Sequence, residues 1–169
     1  MISDLEKLIR LIDSDSYLKS AITARKLTEV SFKNSRYPIH AFTLGSKDPK
    51  APVLFITGGV HGLERIGAQL AWSLLKTTIE RMIWDHSLRH LLEHIRIVVL
   101  PLVNPVGYHH YMRSNGHGVD LMRNSPTKAI DSVPFLVGGQ RFSNRLPWFQ
   151  GKENILEIES QVLINLFLE

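Results

Sequence analysis

The chain has 169 residues, enough for one domain with its own hydrophobic core, and its 44 % apolar and 21 % charged content is that of an ordinary globular protein. Its formal charge of +4 is mildly basic and no run of Lys or Arg concentrates it, which argues against a nucleic-acid partner; no base-stacking motif is present either. There is no cysteine, so a disulfide framework and a thiolate metal site are both excluded, and a metal would have to be held by His, Asp or Glu. The N-terminus mixes acids and bases among its apolar residues and lacks the pattern of a signal peptide. No apolar run approaches the roughly 20 residues of a membrane span. The expectation is one soluble, cytoplasmic domain over residues 1–169, with no membrane partner.

Leu5, Leu8, Ile9 and Ile12 sit at helical spacing, which predicts a short amphipathic helix over residues 4–13. A second helix is expected over 17–27, making residues 1–27 a helical segment packed on the rest. "TEVSFKN" alternates Val30 and Phe32 inward and reads as a strand. "YPIHAFTLGS" reads as a second strand, paired with the first, with Ile39, Phe42 and Leu44 inward. "VLFITGG" is apolar on both faces and predicts a central strand covered on both sides. Helices follow over 66–81 and 85–94, then the buried strand "IRIVVLPLVNP". Strand, helix and strand in this order fit a crossover in a partly parallel sheet. From "NPVGY" to "PWFQG" about 45 residues show little periodicity, a length that in a compact domain points to function or disorder. Trp148 and Phe149 read as anchors of that loop. The stretch "ENILEIESQVLINLFLE" predicts a final helix burying Ile155, Ile158, Val162, Ile164 and Phe167.

In open α/β sheets ligands collect beyond the carboxyl ends of the strands, and two loops leave the sheet there. "GGVHGLER" (58–65) places His61 and Glu64 three residues apart among glycines, an imidazole and a carboxylate within reach of one cation such as Zn²⁺. "NPVGYHHYMRSNGHGVDLMRN" offers Arg113 and Arg123, suited to clamping a carboxylate or stabilising an oxyanion. Asp120 reads as a structural turn or cap residue. His109, His110 and His117 lie in the same loop, and nothing in the spacing singles one out. His86, His90 and His94 recur at helical spacing; Leu88, Leu91, Leu92 and Ile95 form the expected buried side and leave these histidines in solvent.

Taken together, "GGVHGLERIG", "NPVGY" and "GVDLMRN", in this order, resemble the zinc carboxypeptidase family (carboxypeptidase A-like, peptidase family M14). The resemblance runs from about Tyr37 to the end. It implies an α/β fold of three layers, α/β/α, with a mixed, partly parallel central sheet of the phosphorylase/hydrolase type. It implies Zn²⁺ held by His61 and Glu64, with Arg113 polarising the scissile carbonyl and Arg123, with Asn124, binding the substrate. The substrate would be a peptide cleaved at its C-terminal bond, or an N-acyl amino acid. Val106 replaces the turn's usual Asp. Met122 replaces the Asn that normally helps Arg123 hold a terminal carboxylate, and Met cannot donate that bond. The family's third ligand is a downstream His and its general base a later Glu; no histidine follows Asn124 here, and Glu153, Glu157 and Glu159 precede the strand on which that His lies. The sheet is therefore expected to be incomplete, the N-terminal half of a catalytic domain, with weak activity and self-association through an open edge. Two alternatives stand beside this reading: a deacylase resembling succinylglutamate desuccinylase or aspartoacylase, and a non-catalytic module binding an acidic ligand through the arginines.

Overall fold

A computed structural model describes residues 2–126 and 148–169 of the chain. Its centre is a four-stranded mixed sheet in the order β1-β2-β4-β3. β1 (Ile22–Phe32) and β2 (Ser35–Gly45) form a long antiparallel hairpin, with Ile22 opposite Leu44 and Phe32 opposite Ser35. β4 (Arg96–Leu100) pairs antiparallel with β2, and β3 (Val53–Thr57) lies parallel to β4. The parallel pair is joined by the expected crossover through α3 (Arg65–Met82) and α4 (His86–His94). This α/β fold sends the loops after β3 and β4 out of the same edge of the sheet.

Helices cover both faces. On one face α1 (Ile2–Ser14), α2 (Ser16–Ala21), α3 and α4 bury Leu8, Leu18, Leu75, Ile79 and Leu92 against Phe42, Leu44 and Val99. On the other, α5 (Pro105–His110) and α6 (Ile158–Leu168) bury Val106 and Leu166 against Val30, Ile39, Ala41, Val98 and Leu100. β2 thus contributes to two cores, which is why its apolar residues alternate imperfectly. Each fully buried side chain of this size stabilises the fold by about 1.5–3 kcal/mol.

Four expectations are corrected. The helix over 17–27 stops at Ala21, because from Ile22 onward the chain has a partner in β2 along its whole length and pairs with it as strand. β3 is an edge strand among the described residues: one side pairs with β4, and Val53 and Leu54 are each 52 % exposed. The final helix begins only at Ile158 and turns a different stripe inward. Glu159, Ser160 and Leu166 are buried, whereas Ile155, Ile158 and Phe167 are exposed. Leu91 on α4 is exposed as well, Leu92 taking the core position. Within the long loop, α5 was not anticipated, although Asn104-Pro105 carries its signature. The Asn104 side chain accepts from Gly107 N at the helix start, and proline occupies the first turn. The remainder of that loop, 127–147, lies outside the described residues.

Candidate metal and substrate site

The site is built on the carboxyl ends of β3 and β4. Beyond the strands their ladder continues into the loops, with Gly58 N donating to Leu100 O, Val103 N to Gly58 O and Asn104 N to Gly59 O. Gly59 adopts φ +65°, the left-handed region that favours glycine. Gly62 lies so close to α5 that a Cβ there would come within 1.9 Å of the Gly107 carbonyl carbon. The His61 loop is therefore pressed onto the start of the second loop. Asn104, fully buried, fastens the two together: its amide donates to Val60 O at 3.2 Å and to Ser114 O at 3.0 Å.

Four of the chemically active side chains then meet. His61 Nδ1 lies 2.9 Å from Glu64 Oε1, and His61 Nε2 lies 3.0 Å from Asp120 Oδ1. Arg113 spans both carboxylates, its Nε donating to Asp120 Oδ2 at 2.9 Å and its Nη1 to Glu64 Oε1 at 3.0 Å. Arg123 flanks the group with Nε 3.9 Å from Asp120 Oδ2. Asp120 is 1 % exposed, so a buried carboxylate stands at the centre of two guanidinium groups and one imidazole. Burial of one carboxylate among several cationic and N–H donors satisfies its charge and fixes the geometry of each donor.

Asp120 is the main correction to the reading of single residues. It does shape a turn, accepting from Met122 N through Oδ1, but the same carboxylate orients His61. Each ring nitrogen of His61 has a carboxylate oxygen within 3.0 Å, and one ring proton can serve only one of them; a cation held between Nδ1 and Glu64 Oε1 would satisfy the other contact. A tetrahedral zinc with N and O ligands holds its donors roughly 3.3 Å apart, close to the separation seen here. The donor chemistry fits zinc, and the pair needs to open by only about 0.4 Å to take the ion.

Asn124 is placed differently. It is buried, its amide donates to Gln150 O and Ile155 O, and its Oδ1 accepts from Glu157 N at 2.7 Å. Both of its N–H groups are engaged by backbone, so it acts as a clip between the arginine segment and the approach to α6. Asn115 does similar work: its Oδ1 accepts from His117 N and Val119 N, and its amide donates to Glu157 and Glu159 of the α6 region. The loop histidines stand apart from His61. His110 Nε2 meets the Tyr37 hydroxyl at 2.8 Å, His109 packs on Tyr37 and Tyr108, and His117 pairs with Glu157. Phe149 anchors the loop through its backbone, its carbonyl accepting from Asp120 N at 2.7 Å. On the rim, Arg65 stacks its guanidinium over Tyr108 and Tyr111 at 4.1 and 4.8 Å.

Residues 20–169 match the family described as zinc carboxypeptidase. The chain belongs to the zinc carboxypeptidase family. It is 33 % identical over 93 residues to carboxypeptidase D of Drosophila melanogaster, a match that covers 50 % of this chain and 7 % of that protein. It is 23 % identical over 126 residues to carboxypeptidase SOL1 of Arabidopsis thaliana, covering 73 % of this chain and 25 % of the relative. The fold is similar to that of carboxypeptidase A from Helicoverpa armigera, with a TM-score of 0.69 at 22 % identity, over 94 % of this chain and 39 % of that one. The chain thus spans a quarter or less of these curated relatives and about two fifths of that structure. As a zinc carboxypeptidase family member, it implies Zn²⁺ as the cofactor.

Proposed function

We propose that this chain carries the first part of the active site of a metallocarboxypeptidase-type hydrolase, with His61 and Glu64 as two of the zinc ligands. The observation that supports it most is the facing pair His61 Nδ1 and Glu64 Oε1, with the imidazole fixed from behind by buried Asp120. When bound, zinc polarises the scissile carbonyl and lowers the pKa of a bound water. Asp120 holds the His61 ring in the orientation that presents Nδ1. Arg113 uses two of its five N–H groups on Asp120 and Glu64, and on this reading the others face the developing oxyanion. Arg123 is the candidate for holding the terminal group of the substrate. Beside it Met122, 64 % exposed, offers apolar surface where an amide would add a hydrogen bond. That favours a substrate whose terminus is modified, such as a cell-wall fragment, over a plain C-terminal carboxylate.

A catalytic zinc takes three protein ligands and a water, and no histidine follows Asn124 in this chain. The expected behaviour of the 169 residues alone is therefore weak zinc binding and little turnover. Calorimetric titration with Zn²⁺ and a chelator-controlled assay on an N-acylated peptide test this. Zinc uptake that His61→Ala reduces, without appreciable hydrolysis, supports the reading. With the exposed α4 imidazoles removed by His90→Ala/His94→Ala, zinc binding indifferent to His61→Ala overturns the ligand assignment, and brisk chelator-sensitive turnover overturns the claim that further residues are needed.

A further inference from the structure

A second set of metal-ligating side chains lies well away from this site. On α4, His90, Glu93 and His94 each bring one ligand atom within 4.8 Å of the others, the only such group of three found among the described residues. The sequence there reads His-Leu-Leu-Glu-His. His90 and His94 are one helical turn apart, so both imidazoles project from one side, and their rings stand 5.1 Å apart in an edge-to-face arrangement. Glu93 Oε2 lies 3.3 Å from His90 Nδ1. All three are exposed, with side-chain exposures of 75 % for His90 and 67 % for Glu93, so a hydrated ion can reach them.

The helix makes this face rigid. Asp85 caps its start, accepting from Leu88 N at 3.0 Å, and Leu92 fixes its inner side in the core. His94 is in the last turn, where the unpaired carbonyls favour a nearby cation. Topology separates this face from His61. α4 delivers the chain to the start of β4, whereas the His61 loop leaves the far end of the parallel β3.

We propose that His90, His94 and Glu93 form an independent surface site for a divalent transition-metal ion. Two imidazole nitrogens and one carboxylate oxygen supply three donors, and water completes the coordination. That donor set suits Cu²⁺, Ni²⁺ and Zn²⁺, with Cu²⁺ bound most tightly. His-x-x-Glu-His is also the order found in one class of zinc peptidases. Here the face is open to water at the amino edge of the parallel strands, away from the loops that gather ligands. The site binds a metal and performs no hydrolysis.

Ni²⁺ titration of the whole chain, followed by calorimetry, tests the proposal on three proteins: wild type, His61→Ala and His90→Ala/His94→Ala. The double variant should bind Ni²⁺ roughly tenfold or more weakly, a loss typical of removing metal ligands. His61→Ala should retain the α4 site at full affinity, and Cu²⁺ bound to that variant should show nitrogen superhyperfine structure in its electron paramagnetic resonance spectrum, which is lost when His90→Ala/His94→Ala is added to it. Both substitutions replace exposed side chains, so an unchanged melting temperature without metal shows that the fold is intact. Ni²⁺ affinity and copper spectrum that survive the double substitution overturn the site. Failure of zinc binding at His61 leaves this result untouched, since the two sites are read by different variants.

Discussion

At the carboxyl ends of β3 and β4 the side chains of His61, Asn104, Asn115, Asp120 and Asn124 are buried and every one of them is hydrogen-bonded. Along the outer side of β3 the situation is reversed. Val53 and Leu54 are half exposed, and Ile66, Leu70 and Leu74 form an exposed apolar stripe on the adjoining α3. Phe167 and Leu168 at the end of α6 are more exposed still. One region is closed by directional bonds that it makes with itself. The other presents apolar surface and, among the described residues, an unpaired strand edge, features that favour association. Polar contacts can therefore be satisfied locally while, among the described residues, one edge of the sheet that carries them has no partner strand.

The sharpest way to break the first region is Asp120→Ala. It leaves His61 Nε2 and Arg113 Nε without their buried acceptor, and removing one partner of a buried charge cluster costs about 3–5 kcal/mol. Chemical denaturation measures this directly. A loss below about 1 kcal/mol would mean that the cluster opens to water and is not the closed region described here.

The second region is tested by changing its surface. We expect the chain to self-associate as its concentration rises, and Leu54→Lys/Leu70→Lys to shift it toward monomer in sedimentation velocity. Both positions are exposed, so stability should change by no more than about 0.5 kcal/mol. A wild-type chain that sediments as a monomer at every concentration removes the contrast between the two regions.

The same two regions differ in how far they could be read from residues alone. His61 and Glu64 are three residues apart in one glycine-flanked turn, so local pattern sufficed to pair them; Arg113 lies 49 residues from Glu64, and only the order of the motifs along the chain brought it into the same reading. Asp120 and Asn104 escaped because their partners lie 59 and 44 residues away, and local pattern says only that such residues favour turns and caps. Arg123 and Asn124 are adjacent in sequence, yet one flanks Asp120 and the other turns to the backbone before α6. For β3, apolar residues on both faces show that a strand is buried by helices and do not show which side of it is paired. On α6 the inward stripe includes Glu159, which an apolar pattern cannot foresee.

Glu159 gives the smallest effect and links the two regions, since it sits on the exposed side's helix and holds the site loop through Asn115. One oxygen accepts from Asn115 Nδ2 at 3.3 Å; the other, Oε1, is buried without a hydrogen-bond partner among the described residues, as is Ser160 Oγ. Burial pushes this carboxyl above its ordinary value of 4.5. The folded chain then keeps a proton that the unfolded chain has lost. Its contribution to stability is complete below 4.5 and declines as pH rises through the raised folded value. Glu159→Gln has no proton to lose, and its carbonyl can still accept from Asn115. Urea unfolding across this pH range should therefore show the variant gaining on wild type as pH rises, while titrating groups remote from Glu159 cancel in the difference. A difference that stays flat with pH would mean that Glu159 ionises in the fold as it does in water, and that the loop is held by Glu157 and the Asn124 clip alone.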